Sequence, residues 1–504
     1  MKFKHINRFI LFFLLFLIIS CATNPVSGQR ELMFVSENRE IEMGKELYPN
    51  ALWGDLGGGG EYKDEKLKPY LENIVLGINQ VSHRPHLPVS FAIQNSSVPN
   101  AWAIPGYVVI TRGLLASLDN EAEFVFVMGH EMGHISARHS ASQITYGMLQ
   151  QIGLGVLSIA LGGSKYGELA VGIGAIGSSL LLLKYSRDDE LEADGLGIAY
   201  MTKLGYDPKN AISAHKNLER ASQEYLQSLG KNSSERGFFE DLLSTHPRTS
   251  VRIDEIQHMI DINKPFQIKG DGTQREKFQN ITTDLRNKNK IYRNFYDKAL
   301  YAYQKNDLSE AENLISQAIE LDQSQPAFHS LKGYILMKKK EYSFAKSSFD
   351  KAIELETDYE PSLRGIGILL YYQRKYSESI TYFKKAISLY PQDIQANYFL
   401  GMIYYEKQNY REAIPHLALF AQAQSDHNEI HGILGICYEK NGDIRSAYNE
   451  YSKQVRIAPK NEMGEYASQR ITALKPQIEP EKKEDKKEDK KKNKKKDKKE
   501  DKKQ

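Results

Sequence analysis

His130-Glu131-Met132-Gly133-His134 sets two imidazoles four residues apart, with a carboxylate beside the first. On a helix, positions i and i+4 lie one turn apart on one face, so both rings can reach a single metal ion. Glu131 is then placed to take a proton from a water on that ion. Five residues do not make a site. The rest of the chain has to supply a third ligand, a helix under the motif and a compartment that suits the chemistry.

A catalytic zinc usually takes three protein ligands and keeps one position open for water. His139 is one candidate for the third. The three-histidine spacing, however, wants a Gly three residues after the second His and a His six after it. Ala137 and Ser140 occupy those positions. Glu190 is the better candidate, in Ser186-Arg187-Asp188-Asp189-Glu190-Leu191-Glu192-Ala193-Asp194. On a helix Glu190 and Asp194 share a face, so Glu190 can bind the metal while Asp194 receives a ligand imidazole N–H and fixes its tautomer. Glu192 points away from that face. The expected metal set is His130, His134 and Glu190, holding one zinc per chain, with Glu131 as general base.

The elements that must position these groups are legible in the apolar spacing. Phe124, Val127, Met128 and Ile135 recur at helical intervals, predicting a helix over Glu121–Arg138 under the motif. Residues 62–82 and the stretch through Glu40, Met43 and Leu47 also read as helices, separated by the flexible Gly57–Gly60 run. Pro88–Gln94 alternates like a strand, and Asn100-Ala101-Trp102-Ala103-Ile104-Pro105-Gly106 leads into a β-branched strand at Tyr107–Thr111. Residues 147–183 are Gly-rich and nearly uncharged. Their longest clean run, Leu169–Leu183, is short against the ~20 residues of a membrane span; a helical hairpin buried over the catalytic domain is the first reading and shallow membrane contact the second.

From about residue 292 the chain becomes periodic. Ala318, Ala352 and Ala386 are 34 apart, as are Gly333, Gly367, Gly401 and Gly435, and Ala311, Ala345, Ser379, Ala413 and Ala447. One 34-residue register at three small-residue positions is the tetratricopeptide (TPR) pattern of paired helices. About five units fit between 292 and 460, with a final helix to about 474. Such a repeat surface is a groove for a peptide or partner protein.

Net charge is +3 over 504 residues, unevenly spread. Residues 481–504 carry fourteen Lys against eight Asp or Glu, and the first twenty carry Lys2, Lys4 and Arg8, which leaves the body at about −6. A mildly acidic body gives no support for nucleic-acid binding. The tail after Pro480 is almost wholly charged and is expected to be disordered. Two cysteines, Cys21 and Cys437, exclude a disulfide scaffold. The basic start and the apolar run Phe9–Ser20 read as an export signal. It ends Leu17-Ile18-Ile19-Ser20-Cys21, similar to the bacterial lipobox, in which the cysteine is lipidated. With Ala22 rather than Asp next, that resemblance points to the outer membrane. Several acyl chains anchor a protein stably without a span.

His130-Glu131-x-x-His134 combined with Glu190-x-x-Ala193-Asp194 resembles the gluzincin peptidases that include the HtpX-like and CAAX-processing proteases. Their BepA-like branch, periplasmic zinc metalloprotease lipoproteins with a C-terminal TPR domain, is more similar still. Asn24-Pro25-Val26-x-Gly28, Asn100-Ala101-Trp102-Ala103-x-Pro105-Gly106, Arg112-Gly113-Leu114-Leu115 and Thr245-His246-Pro247-x-Thr249-x-x-Arg252 carry the likeness, which spans nearly all of 21–460. It implies a peptide hydrolase that lays an extended substrate on an edge strand, to which Tyr107–Thr111 is similar. It places His246 and Arg252 near the metal, where either steadies the oxyanion or His246 caps the open zinc position. It implies unfolded or misassembled envelope proteins as substrates, and the machinery that assembles outer-membrane proteins as a partner of the TPR groove. An endopeptidase and an assembly factor with gated proteolysis are both compatible with it. The expected fold is α+β and mostly α: a zincin-type peptidase domain with a small sheet at 21–285, an all-α TPR solenoid at 292–474 and a tail at 475–504, behind a signal at 1–20.

Overall fold

The structure, a computed structural model, describes residues 21–55, 58–160, 185–230 and 250–478. The signal segment, much of the Gly-rich stretch, His246 and the charged tail lie outside these residues. The chain divides into two compact units. One runs to Leu369 and includes Ser388–Pro391; the other holds Leu370–Ile387 and the chain from Gln392 onward.

The first unit opens with a hairpin of β1 (Cys21–Thr23) and β2 (Arg30–Leu32), followed by α1 (Glu37–Asn50) and α2 (Leu67–Val81). A three-stranded sheet comes next: β3 (Ser90–Gln94), β4 (Ala101–Ile104) and β5 (Tyr107–Thr111), in the order β3-β5-β4. β3 runs parallel to β5 and β4 antiparallel to it. The expectation that Tyr107–Thr111 is the edge strand is corrected here, because β5 is central. Pro105-Gly106 turns the chain tightly, with Gly106 at φ +94°, and folds Ala101–Ile104 back as a further strand. Pro presets the first turn position and Gly supplies the positive φ of the second. The sequence reading had taken that segment only as a lead-in.

After a short α3 (Arg112–Leu115), helix α4 (Glu121–Ala137) crosses the sheet and carries the His-Glu-x-x-His motif. Asn120 caps its start by accepting from the Glu123 amide, and Glu121 and Glu123 place negative charge at the positive end of the helix dipole. All seventeen residues of α4 are buried, polar ones included. Helices α5 (His139–Ala160), α6 (Arg187–Leu204), α7 (Asn210–Ser228), α8 (Ser250–Ile262) and α9 (Arg275–Ile291) follow. The core of this region joins Leu71, Val75 and Ile78 of α2, Phe91 and Val108 of the sheet, Phe124 and Met128 of α4, and Phe278 and Leu285 of α9.

The repeats form helix pairs at the expected intervals. The first pair is a π-helical turn at Tyr292–Tyr296 continuing into α10 (Asp297–Gln304), with α11 (Leu308–Leu321). Then come the pair α12 (Pro326–Lys338) with α13 (Tyr342–Leu355), the helices α14 (Glu360–Tyr372) and α15 (Tyr376–Leu389), and the pairs α16 (Ile394–Glu406) with α17 (Tyr410–Ala423) and α18 (Ile430–Lys440) with α19 (Ile444–Ile457), closed by α20 (Glu462–Ile478). The periodic glycines have a packing reason. A Cβ on Gly333 would lie 2.6 Å from the Phe349 ring, one on Gly401 2.7 Å from Leu417, and one on Gly435 2.6 Å from the Tyr451 ring. In these three pairs the second helix fills the place of the missing side chain. In the first unit Tyr292 ties the first repeat to the peptidase region. Its ring lies 3.8 Å under the Arg112 guanidinium, and its hydroxyl bonds Gln325.

Among the described residues, no helix is long and apolar enough to cross a membrane.

Candidate metal centre

Two helices bring the site together. α6 begins with a capping box, in which Ser186 accepts from the Asp189 amide and the Asp189 carboxylate accepts from the Ser186 amide. It ends at Gly205 in the left-handed region. α4 and α6 then cross through residues with almost no side chain. A Cβ on Gly129 would lie 3.2 Å from Gly197 Cα, and one on Gly133 3.1 Å from Ala193 Cα. Only this approach lets a carboxylate on α6 meet two imidazoles on α4.

His130, His134 and Glu190 converge there, all buried, with ligand atoms within 4.8 Å of one another. The two Nε2 atoms are 3.1 Å apart, and the Glu190 oxygens lie 3.7 Å from His130 Nε2 and 3.6 Å from His134 Nε2. Two zinc bonds of ~2.0–2.1 Å at a tetrahedral angle put their donors about 3.3 Å apart, close to these spacings. His130 Nδ1 donates to Asp194 Oδ1 at 2.9 Å, which leaves Nε2 unprotonated and facing a second imidazole and a carboxylate. A cation satisfies such an arrangement, and the donor set suits zinc. Glu131 is buried beside these groups at 3% exposure.

Asp194 is the hub of the surrounding network. Arg252, on α8, donates from Nε to Asp194 Oδ2 at 2.8 Å and from Nη2 to Oδ1 at 2.7 Å, and its Nη1 lies 2.6 Å from Glu190 Oε2. Burial pushes the Asp194 carboxyl upward, but the hydrogen bond from His130, the nearby His215 imidazole and the hydrogen bonds from Arg252 outweigh it and hold the group well below the usual carboxylate range. For Arg252, burial disfavours the charge, and Asp194 and Glu190 more than restore it. The guanidinium therefore grips the two carboxylates that orient and complete the ligand set, which is a positioning arrangement.

The structure thus brings Glu131, Asp194 and Arg252 to the three expected ligands. His246 lies outside the described residues. Two further groups escaped the sequence reading, and His139 takes a role other than the one weighed for it. His215, on α7, places Nε2 3.4 Å from Asp194 Oδ1, near but not aligned for a hydrogen bond, and burial lowers its basicity. No local motif marks it; only the packing of α7 on α4 brings it in. Tyr185 stacks on the His134 ring at 3.9 Å. His139, weighed as a ligand, instead contacts His134 Nδ1 through its own Nδ1 at 2.8 Å and Glu192 through Nε2 at 3.1 Å.

Strand β4, which packs against the motif helix, is one border of the sheet. Thr111 donates its amide to the Asn100 carbonyl. Antiparallel alternation then turns the amides of Trp102 and Ile104 toward β5 and those of Ala101 and Ala103 outward. Among the described residues no hydrogen bond reaches those outward groups. The opposite border is partly closed, since Tyr62 donates to the Ile93 carbonyl and Asn95 to the Gly60 carbonyl.

Residues 65–260 match the model of Peptidase family M48, and residues 296–358 and 364–427 match that of the tetratricopeptide repeat. The chain therefore carries an M48 peptidase domain followed by TPR repeats. A mitochondrial metalloendopeptidase OMA1 from Arabidopsis thaliana is 30% identical over 172 residues, 34% of this chain and 31% of that one. A beta-barrel assembly-enhancing protease from Escherichia coli is 26% identical over 258 residues, 50% of each chain. The chain spans half or less of the length of these two relatives. Among solved structures, the TPR protein YrrB, described as having an unusual peptide-binding site, matches at 21% identity over 34% of this chain and 89% of its own, with a TM-score of 0.29.

Proposed function

We propose that the protein is a zinc-dependent endopeptidase of the bacterial cell envelope, acting in quality control and assembly of outer-membrane proteins. The observation that carries the catalytic part is the buried His130–His134–Glu190 triangle with Glu131 in its helix, which packs against the border strand β4. A zinc ion held by these three residues supplies Lewis acidity and makes water nucleophilic near neutral pH. Asp194 holds the His130 tautomer, and Arg252 keeps Asp194 and Glu190 in place. Glu131 takes a proton from the attacking water and delivers it to the leaving amine. An extended substrate adds to the sheet through the outward groups of Ala101 and Ala103, so main-chain bonds align the scissile peptide with the ligand cluster. His246, by resemblance, steadies the oxyanion or caps the zinc.

The envelope placement is supported by the signal-like start and the lipobox-like Leu17–Cys21, with Cys21 as the lipidated residue and membrane attachment through the lipid. The Escherichia coli relative is named for β-barrel assembly, which supports misassembled envelope proteins as substrates and the assembly machinery as a partner of the TPR groove. A second reading, an assembly factor working mainly through its repeats with gated proteolysis, is favoured by the TPR helices that follow the peptidase region. Purified residues 22–504 should hold about one zinc. Glu131→Gln should keep the metal and lose casein cleavage; equal cleavage by wild type and variant would rule out the endopeptidase. A TPR-deleted form that fully replaced the intact protein in cells would rule out the second reading.

A further inference from the structure

We infer that His139 and Glu192 form a positioning pair for His134, matching Asp194 on His130, and that this pair sets how tightly the site holds zinc; the inference rests on the zinc reading above. The proton directions follow from the contacts. For His134 to offer Nε2 to a metal, its proton must sit on Nδ1. The atom facing that nitrogen is His139 Nδ1, at 2.8 Å, which must accept. His139 then carries its own proton on Nε2, where the Glu192 carboxylate accepts it at 3.1 Å. A second carboxylate, Asp189, lies farther off at 3.6 Å and is engaged by the Ser186 amide. Each His139 nitrogen is thus committed, which explains why it is not a ligand.

The backbone is arranged to make this contact. Residues five apart on an uninterrupted helix lie about 140° apart around its axis, so His139 would turn away from His134. Arg138 breaks the helix at φ +62°, a left-handed conformation that costs a side-chain-bearing residue ~1–2 kcal/mol. Its guanidinium is held by the Glu40 carboxylate and the Val35 carbonyl, which pins the break. After it, His139 starts a new helix and folds back onto His134 at 4% exposure. On α6, Glu190 meets the cluster, Asp194 holds the first imidazole, and Glu192 holds the second through His139. One acidic segment therefore orients both rings. Partners of this kind change metal affinity by ~10–100-fold when removed.

The test is a competitive chelator titration of the full chain with zinc, beside circular dichroism of each variant. His139→Phe, which removes both nitrogens, should bind zinc roughly 10–100-fold more weakly. Glu192 is 36% exposed on its side chain, so Glu192→Ala keeps the fold, and it should weaken binding about tenfold. His139→Asn puts an acceptor oxygen where Nδ1 was and should recover most of the His139→Phe loss. The double variant His139→Phe/Glu192→Ala should bind no more weakly than His139→Phe, because Glu192 acts only through His139. Wild-type affinity in His139→Phe and Glu192→Ala, additive losses, or no recovery in His139→Asn would overturn the inference. A wild type that took up no zinc would instead overturn the function proposed above.

Discussion

Gly133→Ala tests whether the close crossing of α4 and α6 builds the metal centre. The added Cβ would lie 3.1 Å from Ala193 Cα and 3.2 Å from both the Ala193 carbonyl oxygen and Leu196 Cβ. Ordinary carbon contacts lie at ~3.5–4.0 Å, so the helices must part by about 0.5 Å. The obstacle is mostly backbone, which has no rotamer by which to move aside. Two stability effects oppose each other: Ala is favoured over Gly in a helix by ~1 kcal/mol, and overpacking costs ~1–3 kcal/mol. The net loss is about 0–2 kcal/mol, small enough to leave the protein folded. The metal is less tolerant. Glu190 moves with α6 while His130 and His134 stay with α4, and a metal site tolerates only about 0.2 Å of error per bond. Zinc affinity should fall at least about tenfold, or ~1.4 kcal/mol. Gly195→Ala, on α6, the other helix of the crossing, is the control: its Cβ would meet only Met259 Sδ, at 3.6 Å, an ordinary contact, so it should keep wild-type affinity. Chelator competition on the purified chains, with thermal unfolding alongside, measures both quantities. A folded Gly133→Ala protein within twofold of wild-type zinc affinity would refute the idea that helix spacing controls ligand geometry.

Asp194→Ala should lose zinc affinity by ~10–100-fold and cost ~3–5 kcal/mol in urea unfolding, since it strips His130 of its partner and leaves the buried Arg252 with one carboxylate fewer. Ala103→Pro removes one outward amide of β4 and should cut kcat/KM about tenfold on an unfolded protein substrate, with zinc content unchanged; an unaltered kcat/KM would move the substrate off this edge. Burial lifts Asp297 to about 6 despite the Arg112 charge. The folded state therefore binds more protons than the unfolded one between roughly pH 4 and 6, so this group's contribution is fully present below about pH 4 and is lost as pH rises through 6. Asp297→Asn removes that loss: urea midpoints should rise by the equivalent of up to ~3 kcal/mol at pH 7.5 and be unchanged near pH 4.

The repeats were legible because each unit solves the same packing problem. Gly333, Gly401 and Gly435 each make room for a large side chain of the following helix, and that need writes a period into the chain. The motif helix was equally plain, from its apolar spacing. By contrast, the edge strand was misplaced. Both Ala101–Ile104 and Tyr107–Thr111 are short apolar runs, and nothing local says which one pairs on two sides. Strand order depends on what packs beside each strand, which is a non-local property.

The sequence by itself determined the chemistry available: two imidazoles and a base on one helix turn, an acidic turn 56 residues later, and a 34-residue repeat. These follow from short-range geometry, where spacing along the chain converts directly into a shared face. Only the tertiary structure decided which groups surround the metal ligands. Arg252 on α8, His215 on α7 and Glu192 through His139 come from separate helices, and their meeting depends on how closely α4 and α6 approach and where Arg138 breaks the helix. Contacts between residues 58 (Arg252–Asp194), 53 (His139–Glu192) and 21 (His215–Asp194) positions apart are set by packing, and no periodicity in the chain encodes them.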